Sequence, residues 1–509
     1  MKPRKNDTPQ RLKIGWASRD ISTDRPVDIP GQFHIRVSKG VLDPITATAL
    51  VIDNGEDLLV FVSADLVCIR AYLVEEVRAR VKAQEPRISV DRIVISATHT
   101  HDGASYYRQA IAGMASPDQV PHEGIEIASS DDYRAFLSGA IADAICEAYA
   151  NRRPGGVTYG YGFAAVGHSR REVYFDDLSK RPGFAGRPGM MVDGHAKMYG
   201  PTSDPMFSHY EAGMDPFVNL LYTFNARGKL TGAVINVPAP SQCSEMREML
   251  SADYWHDVRQ TVRAKHGDIF ILPQCAAAGD LSPRVQHYYA AQQRRFALKY
   301  GADPKAPLDL LQRRDIAERI AAAFDEVLDW ARREIHTALP IRHEVATINL
   351  SRRAITDEEA ANEARVLREL EAEPFKSDGT PEQQLHHNSI LVARRNRCRR
   401  ILARAGEQKQ QPTCPVELHV ARLGNIAFAT NPFELYMDYM HRIQARSPFE
   451  QTFVVQLTGG SSDTAGYLAT ERGVWGGGYS ASIYCNQVSP QGGQELVEQT
   501  LQRLNRFAT

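Results

Sequence analysis

Apolar and polar positions along the chain follow two rhythms, one of period two and one near 3.6 residues. Residues 12–22 (LKIGWASRDIS) read as a first strand, and the apolar runs 47–52 and 58–62 read as a hairpin about the turn Asp53-Asn54-Gly55. Residues 72–83 (LVEEVRARV and its flanks) have the helical period, and a short buried strand, residues 93–95, follows. Residues 130–149 form a second amphipathic helix, opened by Ser130-Asp131-Asp132. Residues 155–163 alternate as a strand, and residues 218–224 and 230–237 make a hairpin about Asn225-Ala226-Arg227-Gly228. Residues 269–272 form another strand, and the last hundred residues return to strands at 416–423, 426–429 and 453–457. Between these lie charged helical patterns at 309–335, 356–373 and 390–405, the second capped by Thr356-Asp357-Glu358-Glu359. Strands alternating with helices predict an α/β (α+β mixed) fold. The simplest organisation is one large domain, its mixed sheets layered with helices, carrying a charged helical insertion at about 303–410. Residues 176–215 are rich in Gly, Pro, Asp and Met without periodicity, the pattern of a binding loop or lid.

Charge narrows the partners. With 60 Lys+Arg against 61 Asp+Glu, the chain has no basic footprint for nucleic acid or an anionic membrane. The start, MKPRKNDTPQRLKIGW, lacks the apolar core of a secretory signal, and no later apolar run has the length of a membrane span. Seven cysteines, an odd number without a CxxC pair, argue against a disulfide framework. A cytoplasmic protein acting on a small molecule is expected, with no nucleic acid or membrane partner and with a homo-oligomer left open.

Chemistry concentrates where strands end. Ser96-Ala97-Thr98-His99-Thr100-His101-Asp102-Gly103 follows a buried strand, and residues two apart in extended chain share a face. His99 and His101 can therefore present a metal ligand beside a second imidazole, or be two satisfied histidines. Gly279-Asp280-Leu281-Ser282-Pro283 follows another strand; Ser before Pro is also a good helix start, with Ser282 as cap. Thr430-Asn431-Pro432-Phe433-Glu434 sets a carboxylate between a strand and a helix, and Gly476-Gly477-Gly478 allows close backbone approach. His386 and His387 are adjacent and so point to different helical faces. HExxH, GxSxG, Walker A and dinucleotide fingerprints are absent, which removes zincins, α/β-hydrolases, P-loop enzymes and Rossmann dehydrogenases as first readings.

The segments Ser96 to His101, Gly279 to Pro283, Pro432-Phe433-Glu434 and Gly466-Tyr467-Leu468-Ala469-Thr470, with Ile14-Gly15, Asp20-Ile21 and Ser63-Ala64-Asp65 before them, resemble in order the motifs of the neutral/alkaline, non-lysosomal ceramidase family. The likeness spans nearly the whole chain and corresponds to that family's catalytic part; its immunoglobulin-like carboxyl-terminal domain does not appear. The resemblance implies a zinc site at His99, Glu434 and Tyr467, with His101 lining the pocket, Ser282 and Asp280 near the scissile bond, Arg170 as the pocket arginine and Tyr479 as its second tyrosine. Such a donor set suits Zn²⁺ or another divalent metal with an open position for water. The family's His-Pro histidine has no counterpart: in Asn236 to Cys243, Ala239 stands about where it belongs. His256 or Asp253 is then the expected substitute ligand, with Gln242, Cys243 and Glu245 behind them. The leading expectation is a metal-dependent hydrolase of the amide or related bond of a small polar substrate. Left open are a glycosidase or lyase using Glu434, Asp253 and Asp280 as acid and base, and a non-catalytic binding protein.

Overall fold

The computed structural model of the protein describes residues 11–108, 113–184, 193–301, 303 and 307–508. Strands of period two assemble into two stacked sheets. The larger has eight strands in the order Phe270–Cys275, Leu230–Val237, Phe217–Asn225, Arg153–Phe163, Lys13–Asp20, Thr46–Asp53, Leu58–Ala64, Ile93–Ala97. The smaller has four: Ile341–Ser351, Thr413–Leu423, Ile426–Thr430 and Gln451–Val455. Alternation decides which side each residue serves. Ile14, Trp16, Leu50, Ile52 and Phe61 point from the large sheet onto Ile341, Leu423, Phe428 and Phe453 of the small one, a dry layer between the sheets. Ala17, Ala47, Ala49, Val51 and Val62 point the other way, under helices Ala71–Gln84, Ser130–Ala150, Tyr254–His266 and Asp309–Ala331. Helices Met437–Arg446 and Pro490–Ala508 cover the outer face of the small sheet. The result is a four-layer helix, sheet, sheet, helix sandwich, a mixed α/β fold as expected. Among the described residues no helix is long and apolar enough to cross a membrane.

Both expected hairpins form: Thr46–Asp53 pairs antiparallel with Leu58–Ala64, and Phe217–Asn225 with Leu230–Val237. The charged stretch 303–410 is not one insertion. Asp309–Ala331 buries Ile316, Ile320, Phe324 and Val327 in the main core, and Ile341–Ser351 is a strand of the small sheet paired along its whole length with Thr413–Leu423. Only Asp357–Ala372 and Pro381–Glu407 stand as an added helical pair. The charge of the first helix misled because it lies on the exposed half of a helix whose other half is core. The irregular stretch 176–215 is partly built: Ala196–Met198 and Phe207–Tyr210 flank Arg171–Tyr174 in a small three-stranded sheet. Its residues 185–192 lie outside the described set.

Three pairs of neighbouring strands run parallel: Leu58–Ala64 with Ile93–Ala97, Leu230–Val237 with Phe270–Cys275, and Ile426–Thr430 with Gln451–Val455. Their carboxyl ends gather at one end of the sandwich, the place where open parallel sheets leave a crevice.

Candidate active site

That crevice is a cavity of about 460 Å³, lined by His99, His101, Arg170, Tyr199, Gln242, Glu245, Glu434, Tyr467 and Tyr479 among others. His99, His101, Arg170, Tyr199, Gln242 and Glu245 come from loops that follow strands. His99 lies two residues beyond Ile93–Ala97, with a left-handed backbone at φ 62. The strand has already ended, so it is this kink, and not strand alternation, that turns His99 toward His101, their ring centroids 4.9 Å apart. A histidine held at positive φ is uncommon and stores strain of about 1–3 kcal/mol, which cores avoid and sites tolerate. Gly31, itself at φ 113, makes room for His101: a Cβ there would meet the ring at 2.7 Å.

Glu434 and Tyr467 are placed by a two-stranded parallel ribbon, Phe433–Leu435 with Gly466–Leu468, in which they are direct partners. Gly279 locks the ribbon down, for a Cβ at that position would lie 2.3 Å from the Glu434 carbonyl oxygen. Arg170 ties the set together. Its guanidinium donates to Tyr467 (3.1 Å), the Gly279 carbonyl (3.0 Å), Gln242 Oε1 (3.2 Å) and Glu434 Oε2 (3.4 Å).

The hydrogen bonds fix the imidazole tautomers. His99 Nδ1 sits 2.6 Å from the Val67 carbonyl and must donate there, so Nε2 bears a lone pair when the ring is neutral and a proton directed at Glu434 when it is charged. Arginine can only donate, so Gln242 turns Oε1 to Arg170 and its amide N–H to His101 Nε2. His101 Nδ1 therefore carries the proton, given to Glu245 Oε2 at 2.9 Å. With the His99 ring neutral, three lone-pair atoms face one another: His99 Nε2 lies 3.2 Å from Glu434 Oε2 and 3.4 Å from His101 Nε2. Such an arrangement repels itself unless a proton or a cation sits among them, and Nδ1–H bonds to a carbonyl and a carboxylate are what orient metal-binding imidazoles. Among the described residues no set of three His, Cys, Asp or Glu side chains makes a metal-holding group unaided. Any divalent ion here would need the Tyr467 oxygen beside His99 and Glu434.

Burial alone would raise the Glu434 carboxyl, but His99, Arg170 and Tyr467 outweigh it and hold it at about 2. Burial, reinforced by His99 and Arg36, pushes His101 well below the usual imidazole range, so it is neutral at pH 7. Burial raises Tyr467 and Tyr479 above an ordinary phenol. Tyr199 goes the other way, because Arg170 and Arg284 outweigh its burial.

The structure thus brings His99, His101, Arg170, Glu434, Tyr467 and Tyr479 into one cavity. It takes the two expected substitute ligands elsewhere. His256 lies in the first turn of Tyr254–His266, 3.9 Å from the Asp43 carboxylate and outside the cavity lining, so it cannot stand in for a ligand. Asp253 is the buried cap of that helix, accepting from Tyr254 N and from Ser244. Ala239 is buried, its carbonyl taking the Tyr254 hydroxyl. The space beside His101 belongs to Gln242 and Glu245, which the sequence ranked behind His256; Arg284 pairs with Glu245 from the other side. Polar residues just beyond a strand that ends at Val237 were the available signal.

Ser282 does not start a helix. Leu281–Ser282 pairs antiparallel with His168–Ser169, and the next helix begins only at Tyr289. Its fully buried hydroxyl meets the site at second hand, accepting from Tyr199 at 3.4 Å. Asp280 is likewise outside the lining: its carboxylate accepts from Met437 N at 3.0 Å and caps Met437–Arg446. With Asp253 and Asp280 both engaged in capping outside the cavity lining, neither pairs with Glu434 as the acid and base of a glycosidase. Burial, opposed by the Met437 N–H, pushes Asp280 up to about 7. An acid whose folded pKa is raised keeps its proton in the fold between pH 4 and 7 while the unfolded chain releases it, so this group loses stability for the protein as pH rises through that window. Asp280→Asn keeps the cap acceptor and is expected to flatten that loss, melting a few degrees above the parent at pH 8 and no higher at pH 4. Equal gains at both values in thermal scans would show that ionisation is not the cause.

No family model matches the chain. The neutral ceramidase of Pseudomonas aeruginosa is 27% identical over 303 residues, 56% of this chain and 38% of that enzyme, so the match spans well under half of the relative's length. The crystal structure of neutral ceramidase from P. aeruginosa superposes with a TM-score of 0.66 at 18% identity, covering 98% of this chain and 75% of that one. The chain shares the neutral ceramidase fold. A ceramidase complexed with C2 agrees, with a TM-score of 0.61 at 17% identity over 97% of this chain and 74% of that one. Nearly the whole of this chain follows that fold, which corresponds to about three quarters of each solved structure.

Proposed function

We propose that the protein is a hydrolase that cleaves an amide bond of a small N-acyl substrate in the cavity at His99 and His101. The observation that carries this is the convergence of His99 Nε2, His101 Nε2 and Glu434 Oε2 under the Arg170 guanidinium. The similarity to a neutral ceramidase supports the amide as the bond. A zinc or other divalent ion held by His99, Glu434 and Tyr467 would supply a Lewis acid for the carbonyl and lower the pKa of water.

The chain's own groups divide the remaining work. His101, neutral and fixed by Glu245, has its Nε2 lone pair free to take the proton of the attacking water once Gln242 yields it. Arg170 sets positive charge where the carbonyl oxygen becomes negative. Tyr479, which accepts from Arg397 at 3.1 Å, keeps its own hydrogen to donate to that oxygen. Phe33, Met114, Met198 and Met246 line the cavity and suit an apolar acyl chain. Seven free cysteines support a cytoplasmic setting.

The test is turnover of a panel of N-acyl compounds, short-chain ceramide included, with metal content measured before and after dialysis against chelator. Chelation is expected to lower turnover at least about a hundredfold, and zinc to restore it. Full activity in metal-free protein would remove the metal from the proposal, and no turnover of any amide would remove the hydrolase.

A further inference from the structure

The helix Pro381–Glu407 belongs to the added pair, and it brings up behind the cavity wall a cation whose only part in the chemistry above is one bond to Tyr479. Arg397 is 1% exposed. Its guanidinium lies 4.6 Å from the ring centroid of Phe33 and 5.1 Å from that of Tyr479, and both rings line the cavity. Its hydrogen bond is to the Tyr479 hydroxyl; Nε and Nη1 are buried with no hydrogen-bond partner among the described residues. A buried guanidinium is normally paired with a carboxylate, and leaving donors empty in the interior is strongly unfavourable. Stacking on two aromatic faces holds this one in place without satisfying it.

Arg397 has company of the same sign. Arg400, one turn along the helix, feels the charges of Arg397 and Arg70 and stands near Tyr479 and Cys485. Arg70 lines the cavity and is paired, at 3.2 Å, with Asp463, whose carboxylate is half exposed. Among the described residues, the ion pair made by these three arginines is that of Arg70 with Asp463. The acids of the lining are already engaged, Glu434 by His99 and Arg170 and Glu245 by His101 and Arg284.

We propose that Arg397, with Arg400 and Arg70, forms a subsite for a carboxylate carried by the substrate, so that the amide cleaved is that of an N-acylated amino acid. This rests on the amide-hydrolase reading. Tyr479 joins the two ends: its ring centroid is 6.0 Å from that of Tyr467, and its hydroxyl touches Arg397. A substrate whose amide lies at His99 and His101 would extend its carboxylate past Tyr479 onto the unpartnered guanidinium, leaving its acyl chain among the methionines.

The probes are N-hexanoylglycine and N-hexanoylethanolamine, which share the amide and acyl chain and differ in the carboxylate. Calorimetric titration of the purified protein is expected to show the glycine compound binding at least about tenfold more tightly, a charge-assisted contact. Arg400→Gln should cut that preference several-fold with an unchanged melting temperature, and Arg397→Met should abolish it. If Arg397→Met fails to fold, Arg400→Gln decides alone. Equal binding of the two probes by the parent, or binding of neither, overturns the subsite. Carboxylate preference in binding without turnover of either amide would overturn the hydrolase reading and leave the subsite standing.

Discussion

Glu434→Gln is expected to lower kcat/KM at least about a thousandfold on any amide the parent cleaves, a loss of about 4 kcal/mol in transition-state stabilisation. Glutamine keeps the shape of the side chain and the partnership of Phe433–Leu435 with Gly466–Leu468, so the ribbon that presents residue 434 stays intact. What goes is the negative charge. In the parent that charge is retained down to about pH 2 because His99 and Arg170 outweigh the cost of burial, so no ordinary assay pH restores or removes it. Without it, Arg170 loses the carboxylate it is paired with, and the three-way meeting at His99 Nε2 loses its anionic member. Arg170 still keeps Tyr467, Gln242 and the Gly279 carbonyl, which limits the fall in melting temperature to several degrees. Near-parental turnover in the variant would remove Glu434 from the chemistry.

Where one physical signal dominated, the sequence could be read. Alternation sorted Ile14, Trp16, Leu50 and Ile52 from Gly15, Ala17, Ala49 and Val51, and turn residues at Asp53-Asn54-Gly55 and at Gly228 placed the hairpins. The strand-end motifs led to loops that meet at one cavity, because parallel strands deliver their carboxyl ends to one crevice. Within those loops, geometry depends on contacts distant in sequence. His99 is set by its bond to the Val67 carbonyl, and nothing in SATHTH announces a left-handed residue. Ser282-Pro283 has the local look of a helix start, yet Leu281–Ser282 pairs with a strand more than a hundred residues earlier. His256 was an attractive ligand by residue type, but helix Tyr254–His266 turns it toward Asp43. Arg397 sits in a run of charges, RRNRCRR, and only tertiary packing separates the buried arginine from the exposed Arg399 beside it.

Arg171→Met is expected to cost about 3–5 kcal/mol of stability in denaturant unfolding, the largest single loss among the cavity's neighbours. Arg170 and Arg171 are adjacent, and extended backbone sends them to opposite sides. Arg170 enters the cavity. Arg171, completely buried, forms a two-point pair with Glu211 at 3.0 and 2.7 Å and donates to Ser480 Oγ, the Gly473 carbonyl and the Gly477 carbonyl. Methionine fills much of the volume but leaves the Glu211 carboxylate buried, side-chain exposure 2%, with its cation gone and two main-chain carbonyls short of a donor. Arg170→Met has a different expected signature: turnover falls by orders of magnitude while most stability remains, since its partners lie on a cavity that water can enter. The segment Gly476 to Ser480 explains why the Arg171 loss would still be felt at the site. Arg171 holds that segment in place through Ser480 and Gly477, and Tyr479, the residue between them, carries the hydroxyl that links Arg397 to the amide-cleaving end. Activity of the folded fraction of Arg171→Met should therefore fall several-fold, in KM before kcat; unchanged KM with lowered stability would mean that Tyr479 is held by Arg397 and Phe33 alone.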